Sequence, residues 1–508
     1  MSNLQSDAHS NSHSARRLTA RLMGGALLGK VLGFVRELMM AQVLGASLVA
    51  DGFRGALTGV MLPLILLQND CVPALLIPLH KQWGREGRVV PRFTALTIAL
   101  TLVATLIMLT LELLAHQWVD VIVGGFSQEG HNLTLLFLRI MALGMPASVL
   151  MNCLAAAEIS QGRSRIASIR AAVQNLAVIC GIVLLVVTGR LDVLAWSFAI
   201  AFNGLAAWGT FTLVRDGTLS TAGTGVRDVL SSAAEFARGL RPLLVQPLAE
   251  QGQVWLERVM ASALVTGTVA SLDYARTLTD SAILLVSQPV GLAVLAAGER
   301  ADPQAQMEGL ARPLLAVAVP MSLFLVMFAP DVVQLVFARG AFNAHAVLLT
   351  SQTLRGIAVG LWAATLGWVL LRILNSAGRN GLAAVILGVA FASNAAANLV
   401  TVAWLGSLGL GLSEAVRGLV LLAGTAAALR CTRRLLWLMA MLIPALLLQI
   451  VSGWAILSVS PLSLRLLCGG VSMGMAVLLN GCILMPATLR TVLRHGTMRA
   501  RRQMGRLQ

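Results

Sequence analysis

The chain alternates long apolar runs with short polar breaks over nearly its whole length. A helix needs about 20 largely apolar residues to cross the hydrocarbon core of a bilayer. Fourteen runs meet that length: 22–46, 50–79, 93–118, 132–157, 166–188, 191–214, 240–265, 270–297, 313–337, 345–375, 381–402, 407–430, 436–459 and 463–487. The pattern predicts an all-α, polytopic membrane protein with about 14 transmembrane helices. The longest polar link, 215–239, separates six runs from eight. Transporters are often built from two helical halves that face a midplane cavity. The predicted organisation is therefore a polar N-terminal tail (1–21), an N-terminal lobe of helices 1–6 (22–214), a cytoplasmic link (215–239), a C-terminal lobe of helices 7–12 (240–430), helices 13–14 (431–487) and a basic cytoplasmic tail (488–508).

The first fourteen residues, "MSNLQSDAHSNSHS", are polar and expected to be disordered. Arg16, Arg17 and Arg21 precede the first apolar run, as in a signal peptide, but Lys30 and Arg36 interrupt that run. No small-residue cleavage site follows, so the reading is an uncleaved first helix.

The charges in the breaks orient the spans. Basic residues collect in the connections after even-numbered spans: "HKQWGREGRVVPR", "SQGRSRIASIR" and "RCTRR". The tail "RTVLRHGTMRARRQMGR" is basic as well. The connections after odd-numbered spans, such as "HQWVDVIVGGFSQEGHN", "VTGTVAS", "WLGSLG" and "SVSPLS", hold no Arg or Lys; Arg190 and Arg339 depart from the rule. Cytoplasmic loops carry the excess of Arg and Lys, so both termini are placed in the cytoplasm.

Composition sharpens this. The chain is 57% hydrophobic and 12% charged, against about 25% charged residues in a soluble domain. Its net charge of +16 sits in tracts between apolar runs, where membrane orientation explains it and nucleic-acid binding does not. The six cysteines form no C-x-x-C pair and indicate neither disulfides nor metal. Phosphate-loop and hydrolase signatures are absent from the sequence, so no catalytic residue, metal or cofactor is expected.

Several charges fall inside the apolar runs. A charge at the bilayer centre costs about 2.5–3.5 kcal/mol on insertion scales and marks function or structural pairing. Lys30, Arg36 and Glu37 lie in the first run, Asp51 and Arg54 in the second, Glu257 in the seventh and Arg276 in the eighth. At about 100° per residue, positions 30 and 37 share a helix face, and 36 lies within about 120° of 30. A mixed cluster weighted to positive charge suits a wet cavity for an anion. Arginine suits phosphate, because its planar fork offers two parallel hydrogen bonds and keeps its charge. Gly29, Gly33, Gly45, Gly52, Gly55 and Gly59 permit close helix approach.

Three stretches carry a family resemblance: "KVLGFVRELMMAQVLGASLVADGF" (30–53), "RPLLVQPLAEQGQVWLERVMASALVTGTVASLDYARTL" (241–278) and "LVFARGAFNAHAVLLTSQTLRGIAVGL" (335–361). They resemble the MurJ/MviN family of lipid II flippases, in the multidrug/oligosaccharidyl-lipid/polysaccharide exporter superfamily. Lys30 stands where that family has arginine, Arg36 matches an arginine, Glu37 replaces an aspartate and Asp51 matches an aspartate. Two departures stand out. The family's Asp-Arg of the eighth helix reads Arg276-Thr277 here, and its paired arginines at the end of the second helix are replaced by residues around Leu67-Gln68.

The resemblance implies a transporter that flips an undecaprenyl-diphosphate-linked glycan by alternating access, with lipid II, the peptidoglycan precursor, as first reading. Lys30, Arg36, Arg54 and Arg276 would hold the diphosphate; Glu37, Asp51 and Glu257 would pair with them and gate. Membrane lipids and envelope-synthesis proteins are the further partners. The altered arginines favour the alternative of an exopolysaccharide or O-antigen repeat-unit flippase. Drug/cation antiport and a non-transporting scaffold of envelope synthesis are the remaining alternatives.

The orientation is testable. Membrane-impermeant thiol labelling of intact cells should miss cysteine tags at both termini and reach one placed in the link near Gly124–Gly130; labelling of the C-terminal tag would overturn the fourteen-span topology.

Overall fold

The computed structural model describes residues 2–68, 71–297 and 303–485, and these residues are helical throughout apart from turns. The chain divides into two compact units, Met1–Ala270 with Arg339–Asn343, and Ser271–Ala338 with Ala344–Gln508.

Unit 1 contains α1 (Ser2–Leu44), α2 (Leu48–Met61), α3 (Ile65–Gln68), α4 (Cys71–Arg85), α5 (Val89–Leu113), α6 (Ala115–Val123), α7 (Gln128–Ala142), α8 (Met145–Ser160), α9 (Arg165–Thr188), α10 (Asp192–Arg215), α11 (Val226–Leu240) and α12 (Val245–Ser262). The helix α1 begins at Ser2 and takes in the polar N-terminal stretch. Extending a helix that already exists avoids the cost of nucleation, so weak helix formers can continue it. The polar link 215–239 contains α11, which packs on α5 and α4. The segment from 240, where the sequence division opens its second lobe, packs in unit 1. Unit 2 contains most of α13 (Thr268–Ala297), then α14 (Pro303–Phe337), α15 (Ala344–Ser376), α16 (Asn380–Leu405), α17 (Ser407–Ala428), α18 (Thr432–Leu457) and α19 (Leu462–Leu484).

Among the described residues nine helices are long and apolar enough to cross a membrane, and ten if α7 and α8, bent by 44°, act as one span. Three of the fourteen predicted runs, 22–46, 50–79 and 240–265, fall short of that standard, and much of a fourth, 270–297, lies outside the residues whose side chains are described. The reason is physical. The second run is broken into α2, a 3₁₀ turn at Leu62–Leu64, α3 and α4. The runs 22–46 and 240–265 are helices interrupted by charge. All seven candidate site residues lie on these four runs.

Proline explains the break in the second run. Pro63 sits at the start of the 3₁₀ turn, and proline has no N–H for the carbonyl four residues before it. That carbonyl belongs to Gly59, and the Trp118 indole N–H donates to it at 2.9 Å. Unit 2 repeats the device. Pro320 lies inside α14, and the carbonyl four residues earlier, Ala316, accepts from the Asn480 amide at 3.5 Å. Freed carbonyls in a membrane must be satisfied by neighbouring helices.

Glycine sets the helix spacing. A Cβ on Gly25 would lie 2.1 Å from the Ser168 carbonyl oxygen, and one on Gly29 would lie 2.6 Å from Ala171 Cβ, so α1 rides directly on α9. In unit 2 a Cβ on Gly360 would lie 2.3 Å from Ala415 Cα, and one on Gly411 would lie 2.3 Å from the Thr353 carbonyl oxygen. The α15–α17 pair is therefore in backbone contact, as small residues allow in membrane helices. The "RGAF" turn uses glycine differently. Gly340 has φ +61°, and the Ala341 N–H donates to the Gln42 carbonyl at 2.8 Å, pinning residues 339–343 to the end of α1.

Gly360→Ala should lower stability by about 1–3 kcal/mol, the usual cost of overpacking. Gly388 has nothing within 4 Å of the same position. Gly388→Ala should therefore leave the melting temperature in detergent unchanged or raised, since alanine is the better helix former.

Candidate functional site: buried carboxylates and paired arginines

In unit 1 the site is built on α1 and α2. Ser47 caps α2, its hydroxyl oxygen accepting from the Ala50 N–H at 3.4 Å. Residues 50–56 are buried without a break, so α2 is a core helix and its charges need partners within the protein. Glu37 supplies one. Its Oε2 accepts from Arg54 Nη2 at 2.6 Å, and its Oε1 accepts from Arg36 Nη2 at 2.6 Å and from Arg36 Nε at 3.2 Å. Glu37 and Arg54 are buried, whereas the Arg36 side chain keeps 30% of its surface. Arg36 thus spends one edge of its guanidinium on Glu37 and turns the rest to open space.

Lys30 is exposed. Arg54, expected to line the cavity, is instead an inner member of the cluster, 4% exposed and behind Glu37.

Asp51 bonds directly to backbone. Its Oδ2 accepts from the Gly267 N–H at 2.6 Å and its Oδ1 from the Ala270 N–H at 2.7 Å. Both oxygens are held by backbone at the start of α13, and the Arg54 and Arg258 charges lie near enough to attract the carboxylate. The first N–H groups of any helix lack partners in that helix, and a carboxylate there is also favoured by the helix dipole. Gly267, at φ +94°, brings this backbone close to Ala46, whose carbonyl oxygen would lie 2.4 Å from a Cβ. Beside Asp51 lies a cavity of about 30 Å³, the size of a single water and far too small for a glycan.

Glu257 is fully buried and accepts from Gln253 Nε2 at 2.8 Å. Its neighbour Arg258 donates to Thr58 Oγ1 at 3.2 Å and to the Val269 carbonyl at 3.1 Å. Both belong to the interior of unit 1.

Two groupings escaped the sequence reading. The first surrounds Gln68. Its carbonyl accepts from Asn152 Nδ2 at 2.8 Å, its amide donates to Ser148 Oγ, and Arg170 on α9 donates to Asn152 Oδ1. Positive charge thus reaches the neighbourhood of Leu67-Gln68 from another helix. The available signal was that Arg170 lies inside the apolar run, not in the loop before it. The second grouping is in unit 2. Arg276 and Arg417 each bond one oxygen of Glu414. Glu414 and Arg417 stand three residues apart on the apolar helix α17, a spacing that pairs them on one face.

At the membrane boundary after α10, Arg163 and Arg165 both bond Asp216 at 2.6 Å. The hydrogen bond from Arg165 is the main cause that holds the Asp216 carboxyl below its ordinary value.

Asp51→Ala should cost about 1–3 kcal/mol, because two buried N–H groups lose their acceptor. Asp51→Asn keeps one carbonyl oxygen and should cost less. Melting curves of the purified variants check this; an unchanged melting temperature for Asp51→Ala together with lost transport would make Asp51 a substrate-facing group instead.

Comparison with known proteins follows the same lines. The family model described as lipid II flippase MurJ matches residues 40–479. A probable lipid II flippase MurJ from Rhizobium tropici is 26% identical over 432 residues, covering 78% of this chain and 77% of that protein. Among solved structures, a lipid II flippase MurJ in an inward closed conformation superposes with a TM-score of 0.80 at 14% identity, over 92% of this chain and 99% of its own. An inward-facing multidrug resistance MATE family transporter of the MOP superfamily gives a TM-score of 0.59 at 16% identity, over 78% and 99%. The extent of the family match, across nearly all the spans just described, places this chain in the MurJ lipid II flippase family.

Proposed function

We propose that the chain flips an undecaprenyl-diphosphate-linked glycan across the bacterial inner membrane, with lipid II as its substrate. The observation that carries this reading is Arg36. It lies inside an apolar run, is oriented by a buried carboxylate, and keeps an open edge. A guanidinium held in this way is a preformed fork for a phosphoryl group. Fourteen spans with both termini in the cytoplasm complete the proposal.

The chemistry divides the substrate. The polyprenyl tail remains in lipid, where its transfer costs nothing. The sugar and diphosphate pass through a polar cavity that opens first to the cytoplasm and then outward. Lys30 and Arg36 meet the diphosphate, and Glu37 and Arg54 behind them fix the direction of Arg36; Arg276 on α13 is a further candidate for binding it. Glu37 can exchange partners as the diphosphate arrives, while Asp51 and Glu257 hold the helices that carry the site.

The uncharged amide at Gln68 and the Arg276-Thr277 order favour a second reading, export of an exopolysaccharide or O-antigen repeat unit by the same mechanism.

Depletion of the host's lipid II flippase separates the two. Under the first reading this chain restores growth and lipid II translocation; survival failure together with restored export in a repeat-unit flippase mutant supports the second. In whichever assay the parent works, Arg36→Ala should reduce transport at least about tenfold with normal membrane levels, and Arg36→Lys should recover part of it, since lysine keeps the charge without the fork. Full activity of Arg36→Ala would remove this arginine from the substrate site.

A further inference from the structure

Unit 2 holds a cluster that resembles, residue for residue, the one around Glu37. Glu414 on α17 is 7% exposed and receives Arg276 from α13 on one carboxylate oxygen and Arg417 from its own helix on the other. The two arginines are not equally sunk with it: their side chains keep 23% and 22% of their surface. Arg417 is further steadied by the Phe391 ring, whose centroid lies 5.8 Å from its guanidinium carbon. Its Nε, although buried, finds no acceptor among the described residues.

One arginine would suffice to neutralise a structural glutamate. A second in the apolar helix α17 adds a further cost of placing charge in the bilayer, which an ion pair for stability alone does not require. Buried ion pairs are in any case weak stabilisers against apolar packing. What two guanidinium groups around one carboxylate do provide is a cradle of the right charge and shape for an oxyanion. The carboxylate occupies the place that a phosphoryl group would take.

We propose that Arg276 and Arg417 form an anion site that takes a phosphoryl group of a lipid-linked diphosphate, with Glu414 as the internal counter-ion which that group displaces. The proposal rests on the reading of this chain as a diphosphate-lipid carrier and adds Arg417 and Glu414 to its binding machinery. The empty site is then kept folded and closed to stray anions by its own glutamate. Release of the substrate is assisted when the glutamate returns.

The test uses the full-length protein in lipid nanodiscs, with farnesyl diphosphate and inorganic pyrophosphate as probes in equilibrium binding. Glu414→Gln removes the competing charge while keeping the shape, so it should bind farnesyl diphosphate several-fold tighter than the parent. Arg417→Ala should bind it about tenfold more weakly, the loss of one charge-assisted hydrogen-bonding partner. Arg417→Lys should fall between, which guards against an Ala variant that misfolds. A purely structural role predicts the opposite for Glu414→Gln: a lower melting temperature and binding that is unchanged or weaker. That result overturns the site. Equal binding by the parent and all three variants also overturns it and leaves the carrier reading standing. A parent that binds no farnesyl diphosphate overturns both. Pyrophosphate that binds as tightly as farnesyl diphosphate, with the same dependence on Arg417, would assign the cradle to a soluble anion and refute the lipid-linked assignment.

Discussion

Inside a bilayer no water is available to any polar group, so each N–H, carbonyl and charge must find its partner within the protein. Most of the structure follows from that constraint. Helices satisfy their own backbone, and the exceptions can be followed one at a time. Pro63 releases the Gly59 carbonyl, and Trp118 takes it. Pro320 releases the Ala316 carbonyl, and Asn480 takes it. The start of α13 leaves N–H groups open, and Asp51 accepts two of them. At these three breaks a polar side chain from a neighbouring element supplies the missing partner.

The same constraint governs the charges. A lone carboxylate at membrane depth would be prohibitive, and Glu37 and Glu414 each engage two arginines. Such clusters are poor sources of stability, because desolvation offsets most of the attraction. Their value lies in orientation. A guanidinium held by one edge presents its remaining donors in a fixed direction, so the residue that meets an anion has little freedom left to lose. Unit 1 shows the division of labour, with Arg54 enclosed behind Glu37 and Arg36 reaching outward.

The likeness of fold to a solved lipid II flippase, at 14% identity, fits this picture. Few specific side chains are required to keep helices in place when glycine and alanine let backbones touch, as in α1 against α9 and α15 against α17. Lipid-facing positions can then vary among apolar residues at little cost. The family match spans residues 40–479 and includes the "RGAF" turn, where Gly340 and Ala341 bring the chain against Gln42.

The sequence by itself determined the helical, membrane-embedded class, because hydropathy and the length of apolar runs are one-dimensional properties. It also marked the charged runs, since an arginine such as Arg36 in an apolar run is conspicuous whatever surrounds it. Partners lie in a different category. Nothing local to Asp51 reveals that its acceptors face Gly267 and Ala270, because backbone donors carry no residue signature. Arg54 and Arg36 look alike as letters, yet one is enclosed and the other open, since burial depends on which helices pack alongside. Arg170 reaches Gln68 through Asn152 across three helices, and Arg276 meets Glu414 from 138 positions away. Such pairings are set by the three-dimensional packing of distant segments, and only the tertiary structure could decide them.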